Sequence, residues 1–350
     1  MQKLNKHTMI YSLIFSLIAM SAIVFLSANK KVTISDTEHS AQEQLQGHEK
    51  ESVQTSENHE LPMQETANEN YLTIPVPENC KAENVTVENH YMDRELCVQI
   101  AESKESFFQE NPISGSSKKV IWGRSEESGK GVRLSFKVDG IYEYKTVLEN
   151  NNLYITFLKP KEEYSQIIVI DPACGGMDTG KASNNVVEKD VVLKVAQKVQ
   201  EQLEKEGIKA YFTRISDVNP SESARVELAN EIGADMFIRI QVGAYEDESI
   251  YGVATIFNEN YFIPGFGNVE LADSLEREVV TSIKGKAIGL ERAGETDDTL
   301  RNITVPAAAI NIGCVTNKQE AILLQRDDYQ DKIASGIVNA IRNSSKEIEQ

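Results

Sequence analysis

The sequence predicts an α/β domain of three layers, a mostly parallel or mixed central sheet flanked by helices, preceded by a small all-β, sandwich-like accessory domain. Two observations carry this. Between Tyr71 and about Pro160, short β-rich runs follow one another across polar turns, the pattern of a small antiparallel sandwich. From Ser165 onward, strands alternate with helical periods, the signature of layered α/β packing.

Residues 1–30 read as a membrane segment. No charged residue interrupts Thr8 to Asn29, and a helix over that run can span about 30 Å of hydrocarbon. As an uncleaved single-pass anchor it leaves the bulk of the chain extracytoplasmic; as a cleaved signal it releases a secreted protein. Residues 31–69 are expected to form a disordered acidic stalk. The stretch from 29 to 68 has no aromatic residue and carries eight acidic residues against three lysines, too little apolar surface to offset the entropy of ordering.

The β-rich domain is expected over 70–162, from the runs YLTIPV, ELCVQIA, KKVIWG, VRLSFKV, YEYKTVL and NLYITFL. Trp122, the one tryptophan of the chain, is expected in its core. The α/β domain is expected over 163–346. Its first strand is the uninterrupted apolar run IIVI; Val187, Val191, Val195, Val199 and Leu203 then recur every four residues as an apolar helix face, closed by Gly207. KAYFT follows as a strand, SESARVELANEIG as a helix capped by Ser221, and MFIRIQV as the next strand. GVATIF, the helix VELADSLEREVVTSI, the strand PAAAINIG and a closing helix near DKIASGIVNAIRN complete it.

The formal net charge of −18 excludes nucleic acid as a partner and disfavours anionic membrane surfaces, because both are held by lysine and arginine. Four cysteines, Cys80, Cys97, Cys174 and Cys314, permit three pairings in an exported chain. No histidine lies beyond His90. The turn GGMDTGK, Gly175 to Lys181, matches part of a phosphate-binding loop. Ala182 stands where that loop needs a hydroxyl for magnesium, so nucleotide binding is not the reading taken. Asp171 and Asp178 are expected to fix the turn by side-chain to backbone hydrogen bonds. Arg214, Asp217 and Arg225 are read as ties between loops.

Six pieces in order carry a resemblance to a known family: VIDPxxGGMDTG; VEKDVVLKVAQKV; Thr213 and Arg214 with Asp217; Arg225 followed by Ala229 and Asn230; ADMFI; and Pro306 before INIGCVTN. Over residues 165–343 the chain resembles the zinc-dependent N-acetylmuramoyl-L-alanine amidases, which cut the bond between glycan and stem peptide in bacterial cell walls. The preceding β-rich segment looks like the accessory wall-binding domains that accompany them. The resemblance implies a zinc site of two histidines and a glutamate, and a second glutamate as general base. Aligned by motif, the metal positions hold Cys174, Glu188 and Gln241, and the base position holds Asn311.

A thiolate and a carboxylate are acceptable zinc ligands, but a carboxamide is a poor substitute for imidazole. Without the metal nothing lowers the pKa of a bound water toward 7, and Asn311 cannot take its proton. The expectation is therefore a degenerate member with no zinc cofactor and no catalysis, acting as a peptidoglycan-binding or regulatory module. Peptidoglycan or cell-wall fragments, the membrane through the N-terminal helix, and a protein of the envelope are its expected partners. The alternative is an active amidase with an atypical metal site. Arg239 and Arg225 are the candidates for the substrate groove; for Arg239 an outward position on an edge strand is the other reading, and for Arg225 a tie between loops. The resemblance also brings Cys174 and Cys314 to neighbouring strand ends, where they either form a disulfide or stay unpaired.

Overall fold

The computed structural model describes residues 59–61, 63–64, 71–115, 118–260 and 262–348. They form two compact units, the first ending at Leu158 and the second beginning at Lys159.

Among the described residues the first unit contains ten strands: β1 (His59–Glu60), β2 (Met63–Gln64), β3 (Tyr71–Pro75), β4 (Val85–His90), β5 (Glu95–Ala101), β6 (Ile113–Ser114), β7 (Val120–Ser128), β8 (Gly131–Val138), β9 (Glu143–Glu149) and β10 (Asn152–Leu158), with a short helix α1 (Glu105–Glu110). They make two five-stranded sheets, ordered β1-β7-β8-β5-β4 and β2-β6-β3-β10-β9. Alternation explains the sandwich: Leu72 and Ile74 of β3, Val98 and Ile100 of β5, Leu134 and Phe136 of β8, and Leu153 and Ile155 of β10 all enter one core. Each such aliphatic side chain, once buried, contributes about 1.5 to 3 kcal/mol.

Two expectations are corrected here. Strands β1 and β2 lie inside the segment expected as a stalk; they are two-residue edge pieces whose pairing comes from β7 and β6, not from any pattern of their own. Trp122 is half-buried, not core; the β7–β8 register shifts between Val120 and Trp122, and the Arg124 guanidinium lies 5.1 Å from the ring centroid.

The second unit begins with helix α2 (Pro160–Glu163) and strand β11 (Ile168–Pro172), then the hairpin β12 (Ala182–Ser183) and β13 (Val186–Val187). There follow α3 (Glu188–Glu206), β14 (Ala210–Phe212), α4 (Glu222–Glu231), β15 (Met236–Gly243), β16 (Val253–Phe257), α5 (Asn268–Ile283), β17 (Ala287–Arg292), α6 (Asp298–Asn302), β18 (Ala307–Cys314), α7 (Lys318–Leu324) and α8 (Asp327–Ile348). The sheet order is β14-β11-β15-β18-β16-β17. Every neighbour pair is parallel except β16–β18, so the sheet is mixed.

One sheet face carries Ile168 and Ile170, Ile238 and Ile240, and Ala308 and Ile310 into a core shared with α3, α5 and α8. Val191, Val195, Val199 and Leu203 are all buried, as their spacing predicts, and α3 ends at Gly207 in the left-handed region. The Ser221 side chain accepts from the Ala224 amide and starts α4. The opposite face carries Asp171, Arg239 and Ala309 toward α4 and α6. No helix among the described residues is long and apolar enough to cross a membrane; the anchor expected over 8–29 lies outside them.

Candidate functional site

The parallel strands β11, β15 and β18 end on the same side of the sheet, where open α/β sheets hold their ligands. Cys174 follows β11, Gln241 lies near the end of β15, and Asn311 is its register partner in β18. Glu188 is the first residue of α3. The fold therefore draws the four positions to one edge.

The turn after β11 is built by two buried arginines. Arg214 donates to the carbonyls of Pro172 (2.9 Å), Ala173 (2.8 Å) and Lys189 (3.0 Å). Arg225 donates to the carbonyls of Pro172 (3.2 Å) and Cys174 (3.3 Å) and to Asn219 Oδ1 (2.9 Å). Asp217 accepts from the Gly176 amide (2.8 Å) and the Lys189 ammonium (2.6 Å), and the Lys189 bond holds its carboxyl below the usual range. Gly175 and Gly176 thus have their amides engaged by Asp178 and Asp217, which leaves no cradle for phosphate. Asp178 also accepts from the Gly180 amide at 3.0 Å, fixing the turn.

Asp171 does something other than fix the turn. It is fully buried and joins β11 to β15 and α4: Arg239 Nε donates to its Oδ2 at 2.6 Å, Arg225 pairs with its Oδ1, and Thr213 donates to Oδ1 at 2.5 Å. Burial raises this carboxyl, but the charges of Arg239 and Arg225 and the Thr213 hydrogen bond outweigh it and hold the group at about 2.

Arg225 is therefore not a groove residue; it is buried and committed to Asp171 and to backbone. Arg239 is not on an edge strand, since β15 lies between β11 and β18. Its guanidinium also donates to Glu222 Oε2 and Thr299 Oγ1, both at 2.8 Å. It borders a polar cavity of about 510 Å³ together with Ile256, Glu291 and Asp297. Its charge is balanced by two carboxylates, those of Asp171 and Glu222.

Around Asn311, the Tyr245 hydroxyl donates to Glu291 Oε1 at 3.2 Å. Burial and the Glu291 charge push this phenol up to about 12. Asn311 Oδ1 is buried with no hydrogen-bond partner among the described residues.

The donor set does not fit zinc. Glu188 Oε1 accepts from the Val242 amide at 3.0 Å, and Oε2 accepts from the Lys181 amide at 2.7 Å. The Lys181 ammonium lies 3.6 Å from Oε1. Burial, then the charges of Glu188 and Asp178, push the Cys174 thiol up to about 12. No group of three or more His, Cys, Asp or Glu among the described residues could hold a metal ion.

All four cysteines are free. The Cys174–Cys314 disulfide is not formed, because β15 stands between β11 and β18. Cys314 instead turns toward the Gly252 carbonyl, its amide held by Glu320 at 2.7 Å. The residue the sequence reading missed is Lys181. Its signal was present in the Asn184–Asn185 pair, a hairpin turn that sets Lys181 opposite Glu188.

The α/β domain thus sets a glycine turn after β11 and a helix-opening glutamate, Glu188, beside Gln241 and Asn311 at the carboxyl ends of parallel strands. A family model described as N-acetylmuramoyl-L-alanine amidase matches residues 168–343, about half of the chain, and the protein belongs to that family. It is 30% identical over 220 residues to a germination-specific N-acetylmuramoyl-L-alanine amidase of Bacillus subtilis (strain 168), covering 57% of this chain and 88% of the relative. It is 27% identical over 199 residues to a probable cell wall amidase of Staphylococcus aureus, covering 55% and 64%. It is also similar to the crystal structure of an N-acetylmuramoyl-L-alanine amidase from Clostridium difficile 630, with 29% identity, a TM-score of 0.48, and 52% and 97% of the two chains covered.

Proposed function

We propose that this amidase-family protein binds peptidoglycan outside the cytoplasm without hydrolysing it, as a wall-binding or regulatory module. The family's activity supplies the ligand class, the bond between muramic acid and L-alanine in peptidoglycan. The observation that carries the loss of catalysis is the state of Glu188. Both its oxygens accept from backbone amides and one also faces an ammonium, so its charge is already countered by the protein's own groups. Asn311, in the base position, has no group that exchanges a proton near neutral pH. The two losses are independent, so repair of one leaves the other.

The extracytoplasmic placement rests on the uncharged run from Thr8 to Asn29 followed by a long polar remainder. The proposed organisation is a membrane segment over 1–30, a stalk that ends before β1, a β-rich accessory domain and the amidase-like domain. The experiment that tests wall binding is sedimentation with purified peptidoglycan sacculi. The protein is expected to pellet with sacculi and to be competed by solubilised wall fragments; recovery wholly in the supernatant, with a folded control, contradicts it.

A further inference from the structure

We propose that Lys181 is the resident cation of this site: its ammonium takes the place of a divalent metal as the counter-charge of Glu188 and so closes the site to such ions. The placement is built into the chain. Asn184 and Asn185 have φ of +50° and +61°, the signature of a two-residue type I′ turn. Such a turn pairs Ser183 with Val186 and Ala182 with Val187, and Lys181 and Glu188 come next in register. The Glu188 amide donates to the Lys181 carbonyl at 2.9 Å, and the Lys181 amide returns to Glu188 Oε2 at 2.7 Å. The hairpin tip is pinned as well, because Asn184 Nδ2 donates to the carbonyls of Val315 (2.9 Å) and Thr316 (3.1 Å).

The need for a cation follows from burial. The Glu188 side chain is 3% exposed, and a carboxylate removed from water requires opposite charge as well as hydrogen bonds. Lys181 supplies that charge 3.6 Å from Oε1, while its own side chain stays 42% exposed. Cys174 and Glu188 converge on the same point: a β carbon placed on Gly180 would fall 2.6 Å from Cys174 Sγ and 2.5 Å from Glu188 Oε2. Two of the four family positions, Cys174 and Glu188, thus meet, with an ammonium beside the carboxylate. A second cation there would be opposed by the first, whereas a chain without Lys181 would leave the carboxylate to be satisfied by a metal.

This inference rests on the reading that the native site takes no zinc, and the two fail separately. Zinc content of the native protein tests that reading; a comparison of variants tests the lysine. Cys174→His with Gln241→His restores imidazole at both lost positions, and zinc ion alone is titrated against a chelating dye. Adding Lys181→Met, which keeps length and removes charge, is expected to tighten zinc binding about ten-fold or more, and adding Lys181→Arg is expected to leave it weak. Equal affinity across the three would overturn the proposal. A second measurement needs no grafted ligand. In the otherwise native chain, Lys181→Met is expected to speed amide exchange at Val242 about ten-fold while Lys181→Arg does not, since that amide is held by Glu188. Unchanged exchange in both variants would equally overturn it.

Discussion

Replacement of Asp171 by alanine is expected to destabilise the amidase-like domain by about 3 to 5 kcal/mol, the range for removing one partner of a buried ionic network. The carboxylate is fully buried between Arg225 and Arg239, and both guanidinium groups would be left inside without it. The damage would not stay local. Arg225 also holds the carbonyls of Pro172 and Cys174, and Arg239 reaches Glu222 and Thr299, so β11, β15, α4 and α6 share this one charge. Urea unfolding monitored by far-ultraviolet circular dichroism reads the loss; a change under about 1 kcal/mol would refute the account of the network.

The same group makes a pH prediction. Its folded carboxyl is held at about 2, below its unfolded value, so its contribution is complete above about pH 4 and is lost as pH falls toward 2. A depression of roughly two units corresponds to about 2 to 3 kcal/mol. Asp171→Asn should therefore flatten the acid side of the stability profile between about pH 4 and pH 2, and leave the slope above about pH 5 unchanged.

Gly175→Ala is expected to cost about 3 kcal/mol or more, from strained backbone and overpacking together. Gly175 has a φ of +132°, and a β carbon there would lie 2.0 Å from the Val218 carbonyl oxygen. Val218 cannot yield freely. Its neighbour Asp217 is bonded to Gly176 and Lys189, so the strain would pass into the start of α3 and the Glu188 corner. Gly207→Ala is the control: it also has a positive φ, but no atom lies within 4 Å of the point its β carbon would occupy. A cost of about 1 kcal/mol is expected there. Equal costs at the two positions, measured by urea midpoints, would mean that the turn is not packed as described.

The layered α/β reading succeeded where burial imposes a period. Val191, Val195, Val199 and Leu203 face one core, and the alternation in β11, β15 and β18 sends every second residue to it. It failed where pairing comes from the partner strand. β17, with the sequence AIGLER, sits at the sheet edge with no buried residue, so no apolar pattern marks it. β4 was missed because VTVENH loses its alternation at the polar end.

The site was legible as a set of positions and not as an arrangement. Cys174, Glu188, Gln241 and Asn311, named from motif order, lie after β11, at the start of α3 and in β15 and β18. The partners of Asp171 and Glu188 depend on side chains from four separate elements and on a hairpin register, which spacing alone does not disclose. The Asn-Asn turn carried the one local signal that could have paired Lys181 with Glu188.

The central claim, an amidase-family protein that has lost its metal and its hydrolysis together, is tested most directly by one measurement. Zinc content and release of stem peptide from purified sacculi are measured on the same preparation of the native protein. The account predicts far less than one zinc per chain and no released peptide, with Glu188→Ala no different in either. About one zinc per chain, together with hydrolysis that Glu188→Ala abolishes, would contradict it.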